Sequence, residues 1–342
     1  MTTLQDLLDD VRDQIEPENA ALNEARERLA FVRAKAATFY GALRTYRSGS
    51  LAAHTMNRPV TDGDGGVVLN RNYYPGLGPE GTGTEAPADV VEDLIDHIRP
   101  RIRENYPDAK IHKSKRGPEI HFHAPLLDGT DPTVDLVLAL TRKEGHGLWI
   151  PNLEDDDWEA SDPEQHIILF NDAAAGFRST RRKIMRLAKA WNKQFSKPGA
   201  SSFEMSVWAY EFVEPGMGVA GGLWALFDGA ASRLEAEEPT PDPAEVSPDL
   251  RLEIESKTMA TRLRKAADHM ASAISATDDD EVRASLSGVF FSYIDAPISA
   301  SLAASVNLLK SPIPVPAAAL GVAVVGTTAG ASVARAYGGR RR

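Results

Sequence analysis

The sequence has no cysteine in its 342 residues. That excludes disulfides and thiolate metal sites and fits a reducing compartment. It also lacks an excess of basic charge: 38 Lys and Arg stand against 49 Asp and Glu, a net charge of −11. A broad, sequence-blind grip on duplex nucleic acid needs many phosphate-neutralising cations, so this balance argues against it, while a local triphosphate site remains compatible. The start Met1-Thr2-Thr3-Leu4-Gln5-Asp6 lacks the basic-then-apolar pattern of a secretory signal, and a cytoplasmic protein is expected. One long uncharged run stands out, the eighteen residues from Ala317 to Ala334, followed by Arg335 and Arg340 to Arg342. That length is the lower edge of a membrane span, and Gly326 and Gly330 have Gly-x-x-x-Gly spacing. Ala, Gly, Ser and Thr dominate the run, so insertion would be weakly driven and a membrane tail is the less favoured reading.

With 42% hydrophobic and 25% charged residues the chain is an ordinary soluble protein, long enough for two lobes or one large domain. Leu4, Leu7, Leu8, Val11 and Ile15 fall on one helical face. After Pro17 a long helix is predicted from Asn19 to about Arg44, with Leu22, Leu29, Val32, Phe39 and Leu43 buried. A short strand is expected over Gly66 to Leu69. A helix from Asp89, as cap, to Tyr106 should follow. Lys110 to His112, Glu119 to His123, Thr133 to Leu140 and Leu148 to Ile150 read as strands, and 151–165 as an acidic loop. The period then becomes helical, over Ala173 to Lys193 and over 202–214, 217–236, 250–276 and 279–309, with Pro239-Thr240-Pro241-Asp242-Pro243 as a dividing linker. The architecture is a mixed sheet with helices, then a helical lobe.

Chemistry concentrates in Gly49-Ser50 and in Asp62-Gly63-Asp64, whose first residue follows Ser50 by twelve positions. Asp62 and Asp64 are two apart, so extended backbone points both to one face. Asp135 offers a third carboxylate within Thr133-Val134-Asp135-Leu136-Val137. An aspartate among such neighbours is costly unless paired or metal-bound. Hard divalent cations take oxygen ligands on short arms, and two Mg²⁺ ions can clamp the attacking and leaving oxygens of an in-line phosphoryl displacement. Gly49 permits close approach of the backbone to a triphosphate, and Ser50 offers a hydroxyl and an amide. A plain turn at Asp-Gly-Asp-Gly-Gly is the bland alternative. An EF-hand fails, because Gly66 and Tyr73 occupy positions that need carboxylates. Asp131 competes with Asp135, but a turn explains it.

Other groups read as structural. Arg181, Arg182, Lys183 and Arg186 form a basic helix face, and Arg182 and Arg186 are expected to be solvated. Lys113, Lys115 and Arg116 fit a solvated turn. Glu119, His121 and His123 share a strand face, but residues four apart in a strand are roughly 13 Å distant, too far for one zinc ion. Trp149, Trp158, Trp191, Trp208 and Tyr210 are packing groups.

The Gly-Ser, paired-Asp and third-Asp pattern resembles the DNA polymerase β-like nucleotidyltransferase superfamily, and within it the bacterial cGAS/DncV-like nucleotidyltransferases of CBASS anti-phage systems. Arg182-Lys183-Ile184-Met185-Arg186-Leu187-Ala188-Lys189-Ala190-Trp191-Asn192 is similar to that family's spine helix, and Ser202-Phe203-Glu204 to the start of its next helix. The similarity covers roughly residues 20 to 230. It implies an α+β fold with a nucleotidyltransferase core over 1–200, a helical lobe over 201–310 and the active site in the cleft between them, with 311–342 as an apolar tail. Asp62, Asp64 and Asp135 would be the metal triad, holding two Mg²⁺ ions for which Mn²⁺ can substitute. Gly49, Ser50, Lys189 and Ser202 would hold the donor triphosphate. The implied activity is synthesis of a cyclic di- or trinucleotide second messenger from nucleoside triphosphates such as ATP and GTP, which acts on a downstream effector. The acidic balance argues against nucleic acid as an obligatory activator. Two alternatives stand beside this reading: transfer to an RNA, protein or small-molecule acceptor, and a non-catalytic nucleotide-binding or membrane-tethered module.

Overall fold

Helical spacing of Leu7, Leu8, Val11 and Ile15 gives α1 (Leu4–Ile15) its buried stripe, and a reciprocal capping box between Thr3 and Asp6 fixes its start. The computed structural model describes residues 3–297. In chain order the other elements are α2 (Asn19–Ala36), β1 (Ala42–Arg47), α3 (Gly49–Ala53), β2 (Asp62–Leu69), α4 (Pro87–Arg103), β3 (Lys110–Lys113), β4 (Pro118–His121), β5 (Thr133–Thr141), β6 (Leu148–Asn152) and β7 (Asp157–Ser161). Then come α5 (Pro163–Asn171), α6 (Ala175–Lys193), α7 (Ser202–Phe212), α8 (Val219–Glu235), α9 (Ser256–Ser275) and α10 (Asp279–Val289).

The sheet runs β1-β2-β5-β4-β3, with β6 on the far end of β5 and β7 on β6. β2 and β5 are parallel, and the other pairs are antiparallel. Alternation along β2 and β5 separates two surfaces. Val67, Leu69, Val134, Leu136, Leu138 and Leu140 join the apolar stripes of α2 and α4 in one core. The opposite face carries Asp62, Asp64 and Asp135 at one end and a small cluster of Tyr46, Val68, Ala139, Leu148 and Ile150 further along. A second large core draws α1 together with α6 to α10 around buried Trp191, Trp208, Phe227 and Phe290. The mixed α+β architecture is as expected from the sequence. Among the described residues no helix is long and apolar enough to cross a membrane.

Several elements differ from the sequence reading. The predicted helix to Arg44 stops at Ala36, and β1 follows, so a strand delivers the chain to Gly49. Gly41 makes the turn at φ +72°, where an added Cβ would come within 2.6 Å of the Tyr74 ring. Phe39 stays buried, but Leu43 is on the edge strand and 52% exposed. The cap of α4 is Ala86 with Pro87 in its first turn, and Asp89 lies inside that turn. The acidic stretch 151–165 is not one loop: Glu154, Asp155 and Asp156 sit in a turn, β7 pairs with β6, and Asp162 caps α5 by accepting the Gln165 amide at 2.9 Å. Thr240 and Asp242 of the proline-rich segment are buried, so it is a packed strap. Burial would raise the Asp242 carboxyl, but the His166 ring at 2.5 Å and the amides of Ser247 and Val246 outweigh it and hold it well below the usual carboxylate range. The helix expected over 279–309 stops at Val289 as α10, and 290–297 form turns and irregular chain; residues 298–309 of that expectation and the tail 311–342 lie outside the described residues.

Candidate active site

Each acidic side chain is placed by strand register. Asp62 and Asp64 lie two apart on β2, and the parallel ladder sets Asp64 directly beside Asp135 on β5. The three residues each offer a carboxylate oxygen, and these oxygens lie within 4.8 Å of one another. All three side chains are partly exposed at the end of the sheet face that α2 and α4 leave open. The Thr61 hydroxyl donates to Asp62 Oδ1 at 2.9 Å.

Concentrating negative charge in this way has a cost. Burial, then the charges of Asp62 and Asp135, push Asp64 up to about 7, against the pull of Lys189. Burial, then Glu119 and Asp62, push Asp135 up to about 6, with His121 acting the other way. For both carboxyls burial and like charge therefore outweigh the nearby positive charge. A divalent cation on hard oxygen ligands would supply it, and the donor set fits such an ion.

The Gly49-Ser50 turn is joined to the same spot. Ser48 donates its amide to the Asp64 carbonyl at 2.9 Å. Gly49 has φ +67°, and a Cβ there would fall 1.8 Å from Asp64 Oδ2. Gly49→Ala is expected to displace the Asp64 carboxylate and slow the chemistry run at the triad by about 10²-fold, the penalty of roughly 1 Å of misplacement. It should also cost about 1 kcal/mol or more of stability from the positive φ. Initial rates alongside urea midpoints check both, and a wild-type rate would detach Gly49 from the site.

α6 braces the segment after α3. Lys189 is 6% exposed and donates from Nζ to the fully buried Thr55 hydroxyl at 2.8 Å. Burial, with Lys193 and Arg186 nearby, pulls its ammonium down to about 7, and Asp64 opposes this. Arg186 donates to Asn57 Oδ1 at 3.0 Å and pairs with Glu16 at 2.6 Å. Arg182 donates to Asn171 Oδ1 at 2.6 Å, and Asn171 Nδ2 reaches the Ala52 carbonyl at 3.4 Å. Arg182 and Arg186, expected as a solvated face, thus hold the Gly-Ser segment against α6. Periodicity marked them as off the core stripe, which does not tell a solvated arginine from one bonded to a neighbouring segment.

Ser202 lies exposed at the first position of α7. Its neighbour Ser201 caps that helix, and among the described residues no side-chain bond joins Ser202 to the triad. Glu119 is the β4 partner of Asp135, and His121 meets it at 2.9 Å. His123 has left the strand at φ +52°, so the strand-reach argument does not apply to it. The Asp triad is nonetheless the one metal-holding group found among the described residues. Asp131 pairs with Arg28 at 2.6 Å. Trp191 and Trp208 are packing groups, and Lys115 pairs with Glu154 at 3.3 Å.

Sequence reasoning gave no role to Thr55, or to the cations around His54. Burial, then Arg182, Arg26, Arg47 and Arg178, lowers that imidazole. These arginines come from three elements, α2, β1 and α6, so only folding assembles them beside the Gly-Ser turn.

No protein-family model matches this sequence, and no curated protein matches it. Solved structures do. The CdnC of E. coli MS115-1 with ATP aligns at TM-score 0.62 and 19% identity, covering 84% of this chain and 98% of that one. The CD-NTase CdnG of Bradyrhizobium diazoefficiens, in complex with GTP, aligns at 0.60 and 17%, covering 84% and 95%. The CdnE cyclic dinucleotide synthase of Elizabethkingia meningoseptica aligns at 0.57 and 14%, covering 78% and 98%. At such identities the shared property is the fold, which this chain has in common with the CdnC, CdnG and CdnE structures.

Proposed function

We propose that this protein is a metal-dependent nucleotidyltransferase that joins nucleoside triphosphates into a cyclic di- or trinucleotide, a second messenger for anti-phage defence. The observation that carries this reading is the convergence of three carboxylate oxygens within 4.8 Å at one end of the sheet. Asp62, Asp64 and Asp135 would hold Mg²⁺, which when bound stabilises the charge on the attacking and leaving oxygens of phosphoryl transfer. Gly49 leaves the space that the Asp64 carboxylate occupies, and Ser50 beside it would offer its hydroxyl and amide to a phosphate oxygen. Arg47, Arg178 and Arg182 supply positive charge that favours a triphosphate over an uncharged ligand, and a bound triphosphate would favour the charged form of Lys189. Ser202 is assigned to the donor side by its family position alone. Asp135, kept near 6 by burial and Glu119, is ionised at pH 8 and placed to accept a proton from an acceptor hydroxyl.

Incubation with all four nucleoside triphosphates and Mg²⁺, with no added acceptor, is expected to give phosphatase-resistant products whose masses report ring size and bases. Labelling solely of an added RNA would replace this reading with a transferase acting on an external acceptor.

Cation binding has a readout independent of turnover. Asp64 and Asp135 have folded-state values raised above their unfolded value of 3.8. Their favourable contribution is complete below that value and is lost as pH rises through about 6 to 7. A bound cation prefers the ionised form, so Mn²⁺ should raise the melting temperature more at pH 8 than at pH 5.5. An equal rise at both pH values, or one retained in Asp135→Asn, would remove the triad as the binding site.

A further inference from the structure

A cavity of about 370 Å³ opens in the helical lobe, away from the carboxylate triad, between the first turn of α7, the C-terminal end of α8 and the strand-like segment leading to α9. Its wall contains an acid that does not do what its position suggests. Glu204 is the third residue of α7, where a glutamate ordinarily reaches back to the amide of the capping residue. Ser201 accepts the Glu204 amide at 3.0 Å, but the return bond is absent, and the Glu204 side chain is turned inward. The residue is 1% exposed, and its Oε2 has no hydrogen-bond partner among the described residues.

A buried carboxyl oxygen without a partner is costly. Burial lifts Glu204 to about 7, the Thr240 hydroxyl opposes that, and nearby Glu253 adds to it. Thr240 is itself a wall residue: its hydroxyl accepts the Trp208 indole at 2.9 Å and has one proton to donate, so it can serve one Glu204 oxygen and leaves Oε2 without a partner. Leu234 and Leu252 supply apolar wall, while Glu238 adds an exposed acid at the rim and Arg251 a cation. The volume is within the range of small-molecule sites, roughly 300 to 1,000 Å³.

We propose that this cavity is a binding site for a small organic cation with an apolar body, of the amidinium or guanidinium class, whose N–H groups engage Glu204. A planar amidinium presents paired donors that match a carboxylate, and its hydrocarbon part covers the leucines. This site is independent of the nucleotidyl-transfer reading, since none of the triad lines it.

The test titrates the full-length protein with benzamidine by calorimetry, with benzamide as the uncharged comparison. Saturable binding with a Kd on the order of 1 mM or tighter is expected, weakened tenfold or more for benzamide and tenfold or more in Glu204→Gln. Glu204→Gln keeps side-chain shape and removes a buried titrating group, so a melting temperature at or above wild type at pH 8 is expected. Should that variant fail to fold, Leu252→Trp narrows the cavity while leaving Glu204 in place, and loss of benzamidine binding is expected there. Absence of saturable binding, equal affinity for benzamide, or wild-type affinity in the folded variants would overturn the proposal.

Discussion

Asp64→Asn is expected to lower nucleotidyl transfer by on the order of 10³-fold, about 4 kcal/mol of transition-state stabilisation. Of the three acids, Asp64 is the one tied to every part of the site. It is level with Asp135, two residues from Asp62 and in close contact with Gly49, and its carbonyl accepts the Ser48 amide. Asparagine keeps the volume, so the backbone register should survive. The removed group is a part-buried carboxyl held up at about 7, whose ionisation costs stability in the absence of a cation. The variant's melting temperature at pH 8 without metal should therefore match or exceed wild type. Rates of pyrophosphate release and thermal melts read the two effects separately. A variant that keeps more than about a tenth of the wild-type rate would place Asp64 outside the reacting centre.

Arg28→Met is expected to cost about 3–5 kcal/mol of stability, the penalty for removing one partner from a buried charge network. Arg28 is fully buried in α2. It donates to Glu24 and Asp131 at 2.6 Å, to the Pro132 carbonyl at 2.7 Å and to the Ala124 carbonyl at 2.6 Å. Its guanidinium also lies 4.6 Å from the Phe122 ring centroid. Methionine fills much of the space but leaves two carbonyls and two carboxylates without their donor. The segment so held leads directly into β5 and Asp135, so the loss should also weaken the Mn²⁺-induced thermal shift. Urea denaturation measures the first effect. A midpoint change worth less than about 1 kcal/mol would mean that water satisfies the abandoned groups.

Local pattern made much of this molecule legible. Helical periodicity located α1, α4 and α6 through residues such as Val11, Leu94 and Ile184, because one face of each helix meets a core. Period-two spacing put Asp62 and Asp64 on one face before any strand was seen. The same reasoning failed between Ala36 and Arg47. Phe39 and Leu43 extend a helical stripe, but Gly41 and pairing with β2 impose a strand. The Asp162-Pro163 start of α5 was written in the sequence and lay hidden in an acidic run.

The sequence by itself determined the fold class, the residue types for a hard-cation site and the same-face geometry of Asp62 and Asp64, all consequences of short-range spacing. Tertiary structure alone decided that Asp135 stands level with Asp64, that Lys189 is buried on Thr55, that Arg182 and Arg186 brace rather than face water, and that Glu204 is buried at a cavity wall with its Oε2 unpartnered. Each of these depends on which distant segment packs alongside, and spacing along a chain carries no record of its neighbours in space.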